Sequence, residues 1–114
     1  MKGGLVLLLL ALAACRPAAP FRLAVEHEGR VSRFRLVGAP GARINAQLKP
    51  ALELADGTVL RFDSPHLTSD TAYFADAPTA MAALRQDVHE GIVRASVCPK
   101  GEKICRSVAL AVQF

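Results

Sequence analysis

The chain has 114 residues, with 14 lysines and arginines against 10 aspartates and glutamates, for a formal charge of +4. That is one domain's length, which excludes an enzyme carrying its own cofactor domain. No run after residue 14 approaches the ~20 apolar residues of a spanning helix, and the thin spread of charge, without a basic run or interleaved aromatics, leaves no nucleic-acid footprint.

The first element is an address. Met1-Lys2 is a short positive region, Leu5–Leu12 an apolar stretch of eight residues, and small residues follow. This order predicts a secretory signal over residues 1–14. Leu12-Ala13-Ala14-Cys15 resembles the lipobox of bacterial lipoproteins. The resemblance implies cleavage before Cys15, a diacylglycerol on its sulfur and acylation of the new amine. More than one acyl chain on a residue suffices for stable membrane anchoring. Arg16 stands where lipoproteins kept in the inner membrane often have Asp, so the outer membrane is favoured. The alternative is an ordinary signal peptide with an incidental cysteine. Residues 15–20, with Pro17 and Pro20, form a short stiff tether, and residues 21–114 form the domain. With Cys15 assigned to lipid, Cys98 and Cys105 remain, and in an oxidising compartment such a pair most often forms a disulfide.

The domain reads as strands, and residues such as Leu, Val, Ile and Phe recur to its end, unlike a disordered tail. Phe21–Glu26 alternates apolar and polar residues. After the Glu28-Gly29 turn, Val31–Val37 places Phe34 and Leu36 on one face and Arg33 and Arg35 on the other. Gly38–Gly41 breaks that run. Leu52 and Leu54 alternate next, Asp56-Gly57 is a hairpin signal, and Thr58–Phe62 returns. Residues 64–79 read as a long loop. Residues 80–89 fit a helix through Met81, Leu84 and Val88, or a broken strand. Gly91–Val97 and Ile104–Phe114 are clear strands. Short strands with turns between them predict an antiparallel sandwich.

Parity defines the last hairpin. Val93, Ala95 and Val97 share one face, as do Val108, Leu110 and Val112, and these must point into the core. Setting Cys98 opposite Cys105 places Val97 against Arg106, Ala95 against Val108 and Val93 against Leu110. Both sulfurs then fall on the solvent side of the sheet, beside the Pro99–Ile104 loop. Lys100, Lys103 and Arg106 outnumber Glu102 there, and a positive field favours thiolate, the species that acts in exchange. The competing reading is a structural staple, for which the loop-entropy model gives about 2–3 kcal/mol.

The tail, Gly91–Cys98 followed by Cys105–Leu110, resembles the end of the amino-terminal periplasmic domain of the transmembrane thiol:disulfide interchange protein DsbD: a glycine, a strand, a cysteine, a short charged loop with glycine, a second cysteine and a closing strand. Gly41–Asn45 and Pro50–Leu54 are similar to a second stretch of that family, with Arg43 in place of a histidine. The resemblance implies an all-β, immunoglobulin-like antiparallel β-sandwich with a C-terminal disulfide-bridged hairpin. It implies that Cys105 exchanges with thioredoxin-like periplasmic partners and that Cys98 resolves the mixed disulfide. It also implies a cap over the pair, for which the loop His66–Ala77 with Tyr73 and Phe74 is the candidate; core packing is the plainer expectation for Phe74. The chain departs from the family in its longer inter-cysteine loop, in Arg106-Ser107 after the second cysteine, and in lacking a following membrane or thioredoxin-like domain.

Other sites carry little. His27, His66 and His89 are scattered, with no metal-ligand spacing. Two sulfurs and a histidine could take a soft metal such as copper, but no methionines cluster with them, and no metal or cofactor is expected. There is no haem-attachment motif, phosphate loop or nucleophile elbow, and Ser32 and Ser69 have no organised base. The expectation is a monomeric, lipid-anchored envelope protein whose Cys98–Cys105 pair exchanges thiols, or a binding or structural module in which that bond is only a staple.

Overall fold

The computed structural model describes residues 19–114; the signal, the lipobox cysteine and most of the tether lie outside the described residues. Eight strands follow in order: β1 (Phe21–Glu28), β2 (Val31–Gly38), β3 (Ala42–Ile44), β4 (Ala51–Leu54), β5 (Val59–Arg61), β6 (Thr79–Ala83), β7 (Glu90–Pro99) and β8 (Arg106–Gln113). They form two antiparallel sheets. One has the order β1-β2-β6; the other has the order β3-β7-β4-β5, with β8 on β7. This is an all-β antiparallel sandwich of the immunoglobulin-like kind, ending in a disulfide-bridged hairpin.

Alternation decides which face each strand buries. On β2, Phe34 and Leu36 are fully buried while Arg33 and Arg35 are exposed. They pack in one core with Leu52 and Leu54 of β4 and Val93, Ala95 and Val97 of β7. Burying each large apolar side chain contributes about 1.5–3 kcal/mol. The Phe114 ring meets Phe34 edge-on at 5.1 Å and closes the core at the chain's end. The Asp56-Gly57 turn forms as its sequence demands. Gly57 takes φ +90°, and the Asp56 carboxylate accepts the Thr58 amide at 2.9 Å, an Asx turn joining β4 to β5.

Three details go beyond the sequence expectations. Residues 80–89 do not form a helix: β6 takes Thr79–Ala83, pairing with β2 from Arg35↔Thr79 to Val31↔Ala83. The loop after β5 is tied down by bridges, Asp63↔Thr79, Leu67↔Phe74 and Asn45↔Tyr73. The short strand β3 has no counterpart among the expected strands; it pairs with the end of β7 through Ala42↔Pro99, Arg43↔Cys98 and Ile44↔Val97.

Candidate functional site

β7 is the longest strand, and it has neighbours on both edges. β8 runs along one edge with Val93↔Leu110, Ala95↔Val108 and Val97↔Arg106. This is the register expected from parity, and it sets Cys98 beside Cys105. The two are joined in a disulfide, with their Cα atoms 4.1 Å apart. On the other edge, β4 covers one half of β7 and β3 covers the end that carries Cys98. Cross-strand partners share a face. Arg43, Cys98 and Cys105 therefore form one row across the outer face, while Ile44 and Val97 point into the core.

Cys98 does not lie open on the solvent side. It is 0% exposed, and only Cys105 is partly exposed. Its cross-strand partner Arg43 lies on the same face beside it. Its Nη2 donates to the carbonyls of Pro99 and Glu102, each at 3.3 Å, so the side chain runs from β3 to the loop between the cysteines. Its guanidinium lies 4.1 Å from the centre of the Tyr73 ring, a cation–π distance. The same loop is pinned to the turn before β3, where the Lys100 amide donates to the Gly41 carbonyl at 2.7 Å. A tight turn follows, with Glu102 N donating to Pro99 O and Gly101 at φ +84°, a conformation that glycine adopts freely.

The expected cap thus divides. Phe74 is buried in the core, whereas Tyr73 is half-buried and stacks on Arg43. The segment that presents Tyr73 is held by polar side chains. Asp70 accepts the Thr68 hydroxyl at 2.6 Å and the Ala72 amide at 3.1 Å, and these bonds hold its carboxyl below the usual range. Asp76 lies 2.7 Å from His66 Nδ1 and accepts the Ser64 hydroxyl. That serine bond, then the histidine, hold its carboxyl low as well. Both Ser64 and His66 bond to the carboxylate, so the imidazole does not address the serine, and the trio is not a nucleophilic triad of serine, histidine and aspartate. Thr71 takes φ +60°, rare for a β-branched residue.

The expected cationic residues separate too. Lys100 and Lys103 are exposed on the loop beside the pair. Arg106 is opposite Val97, so by parity it belongs to the other face of the sheet from Cys105. Arg94 shares the outer face but sits 3.8 Å from Glu53. Among the described residues, no three histidine, cysteine or acidic side chains gather as a metal site.

The residue that sequence reasoning missed is Arg43. It was visible only as a departure from a family pattern, because a three-residue strand is too short to show a period. No family model, curated protein or solved structure matches the chain.

Proposed function

We propose that the chain is a lipid-anchored protein of the bacterial envelope, held through Cys15, whose Cys98–Cys105 disulfide exchanges with a thioredoxin-like periplasmic partner. The observation that carries this reading is the asymmetry of the pair: Cys105 is partly exposed and Cys98 fully buried. Exchange needs one sulfur that a partner can reach. In the step this permits, a partner thiolate attacks Cys105 Sγ, the S–S bond breaks, and Cys98 leaves as a thiolate. The partner's second thiol then attacks the mixed disulfide and Cys105 leaves. The pair gains two electrons, and the partner ends as a disulfide. Lys100 and Lys103 favour thiolates near the loop.

The burial of Cys98 also favours a second reading, a structural staple in a non-enzymatic binding module. The reduction potential separates the two. Glutathione buffers set the poise, and alkylation read by mass counts the thiols. A potential within about −120 to −270 mV is the expected result, and in the reverse direction of the same exchange Cys98→Ala, which leaves Cys105 to attack an oxidised partner with no resolving thiol, is expected to trap the mixed disulfide; a potential below about −300 mV leaves only the staple.

A further inference from the structure

We infer that Arg43 is the charge partner of Cys98 in the reduced protein, making this buried sulfur a competent leaving group. Its part in turnover rests on the thiol-exchange reading above; the pairing of guanidinium and thiolate does not.

The argument starts from a cost. When Cys105 is attacked, negative charge appears on Cys98, and Cys98 is wholly buried. An apolar burial raises a thiol's pKa, and a leaving thiol of raised pKa leaves slowly. A buried thiolate therefore needs a cation and a donor on its own side of the sheet.

Arg43 supplies both. It is the cross-strand partner of Cys98 on β3, so the two side chains rise from the same face with β-carbons typically about 4.5–5.5 Å apart. Its Nη2 is engaged by Pro99 and Glu102, but its Nε is buried with no hydrogen-bond partner. Among the described residues it is the one buried side-chain nitrogen or oxygen left so. Unpaired buried donors are costly and rare. A disulfide sulfur is a weak acceptor, whereas a thiolate takes a strong, charge-assisted bond. The donor that is idle while the bond is closed thus acquires an acceptor when it opens. The Tyr73 ring and the two carbonyls hold the guanidinium in place meanwhile.

The other charges nearby fit this role less well. Lys100, Glu102 and Lys103 are exposed on the loop, where solvent screens them. Asp70, from the segment carrying Tyr73, feels the Arg43 charge, which adds a little to the lowering of its carboxyl. Arg94 is four residues back along β7 and faces Glu53, roughly 13 Å away at 3.3 Å per residue. Arg106 belongs to the opposite face.

The test uses the full chain in detergent with Cys15→Ser and Cys105→Ser, so that Cys98 is the one thiol. Thiolate absorbance near 240 nm is followed against pH, with Tyr73 ionisation tracked separately at 295 nm. Cys98 is expected to titrate below the ordinary thiol value of ~8.5. Arg43→Gln is expected to raise its pKa by about one pH unit, a tenfold loss of thiolate. In the protein with both cysteines, the same one-unit shift makes the pair more reducing, by about 30 mV at pH above both Cys98 values and by less below them. Arg43→Lys keeps the charge without the Nε donor, so it should fall between the two and decides the matter should Arg43→Gln not fold. Equal titration of Cys98 with and without the Arg43 changes overturns the inference, whatever the potential. A wild-type potential below about −300 mV sinks thiol exchange instead, and leaves the Arg43 effect on Cys98 to be read on its own.

Discussion

Cys98 and Ile92 point to the same outer face of the same strand, yet Cys98 is wholly buried and Ile92 is 38% exposed. The difference lies in what crosses the face. Among the described residues, Ile92 stays open to solvent, as one face of an antiparallel sheet can. Over Cys98, β3 brings Arg43, and the loop after β5 brings Tyr73 to lie against it. Parity assigns a side chain to a face; burial depends on whether a distant segment comes back to cover it. In this sandwich the covered end of the outer face is the end that holds the disulfide.

The sharpest way to break the comparison is at the open end, where the inner face is tight even though the outer one is bare. A side chain at Gly91 would place its β-carbon 2.6 Å from the Glu53 carbonyl oxygen and 2.9 Å from Leu52. Backbone must move to admit it. Gly91→Val is expected to cost about 3 kcal/mol in urea denaturation, while Ile92→Ala, one residue along on the outer face, costs less than about 1 kcal/mol. Equal effects would mean that the two faces of β7 are not as different as their burial indicates.

At the covered end, removing the bond itself comes next. Replacing both cysteines by alanine is expected to lower stability by about 2–3 kcal/mol, since the cross-link closes only a short loop. Fluorescence of Tyr73 or circular dichroism against urea would follow it. A much larger loss would show that the disulfide organises the covered end and does more than restrain the unfolded chain.

How far the sequence reaches follows the same division. Phe34 and Leu36, Leu52 and Leu54, and the pairing of Val93 with Leu110 were legible because alternation over several residues fixes a face and a register. The Asp56-Gly57 turn was legible because its residues carry the turn chemistry. The burial of Cys98 was not, because its neighbour on that face, Arg43, comes from a three-residue strand 55 positions away. Met81 and Leu84 suggested a helix as readily as a strand; the edge of β2 decided for a strand, a tertiary choice that local pattern does not hold. Arg106 is next to Cys105 in the chain, but the register sets it opposite Val97, so parity turns it to the other face.

A smaller effect sharpens the contrast within the cover. Thr71 holds a left-handed backbone conformation in the segment that presents Tyr73. Such strain costs about 1–3 kcal/mol, and glycine gives back roughly 0.5–1 kcal/mol of it as lost backbone freedom. Thr71→Gly should therefore stabilise the protein by about 1 kcal/mol, measured as a shift of the urea midpoint. A destabilised variant would show that the threonine side chain itself supports the segment.

The smallest effect is the acid response of that cover. Asp70 and Asp76 both have carboxyls held below the ordinary 3.8, the first chiefly by the Thr68 hydroxyl and the second chiefly by the Ser64 hydroxyl. A carboxyl whose folded pKa is depressed adds stability that is present above its unfolded value and lost as pH falls through the folded one. The contribution of these two carboxyls should therefore be constant from neutrality down to about pH 4, and the segment over Arg43 should loosen below that, with little response at the open end. The contribution is modest because both groups are exposed and salt screens them. A phosphine reductant that works in acid reads it directly: the rate of Cys98–Cys105 reduction should rise below about pH 4, before the circular dichroism changes. Asp70→Asn should show the faster rate already at neutral pH, with a flatter acid limb. If the rate and the dichroism change together in both proteins, the cover has no stability of its own and opens only when the whole sandwich does.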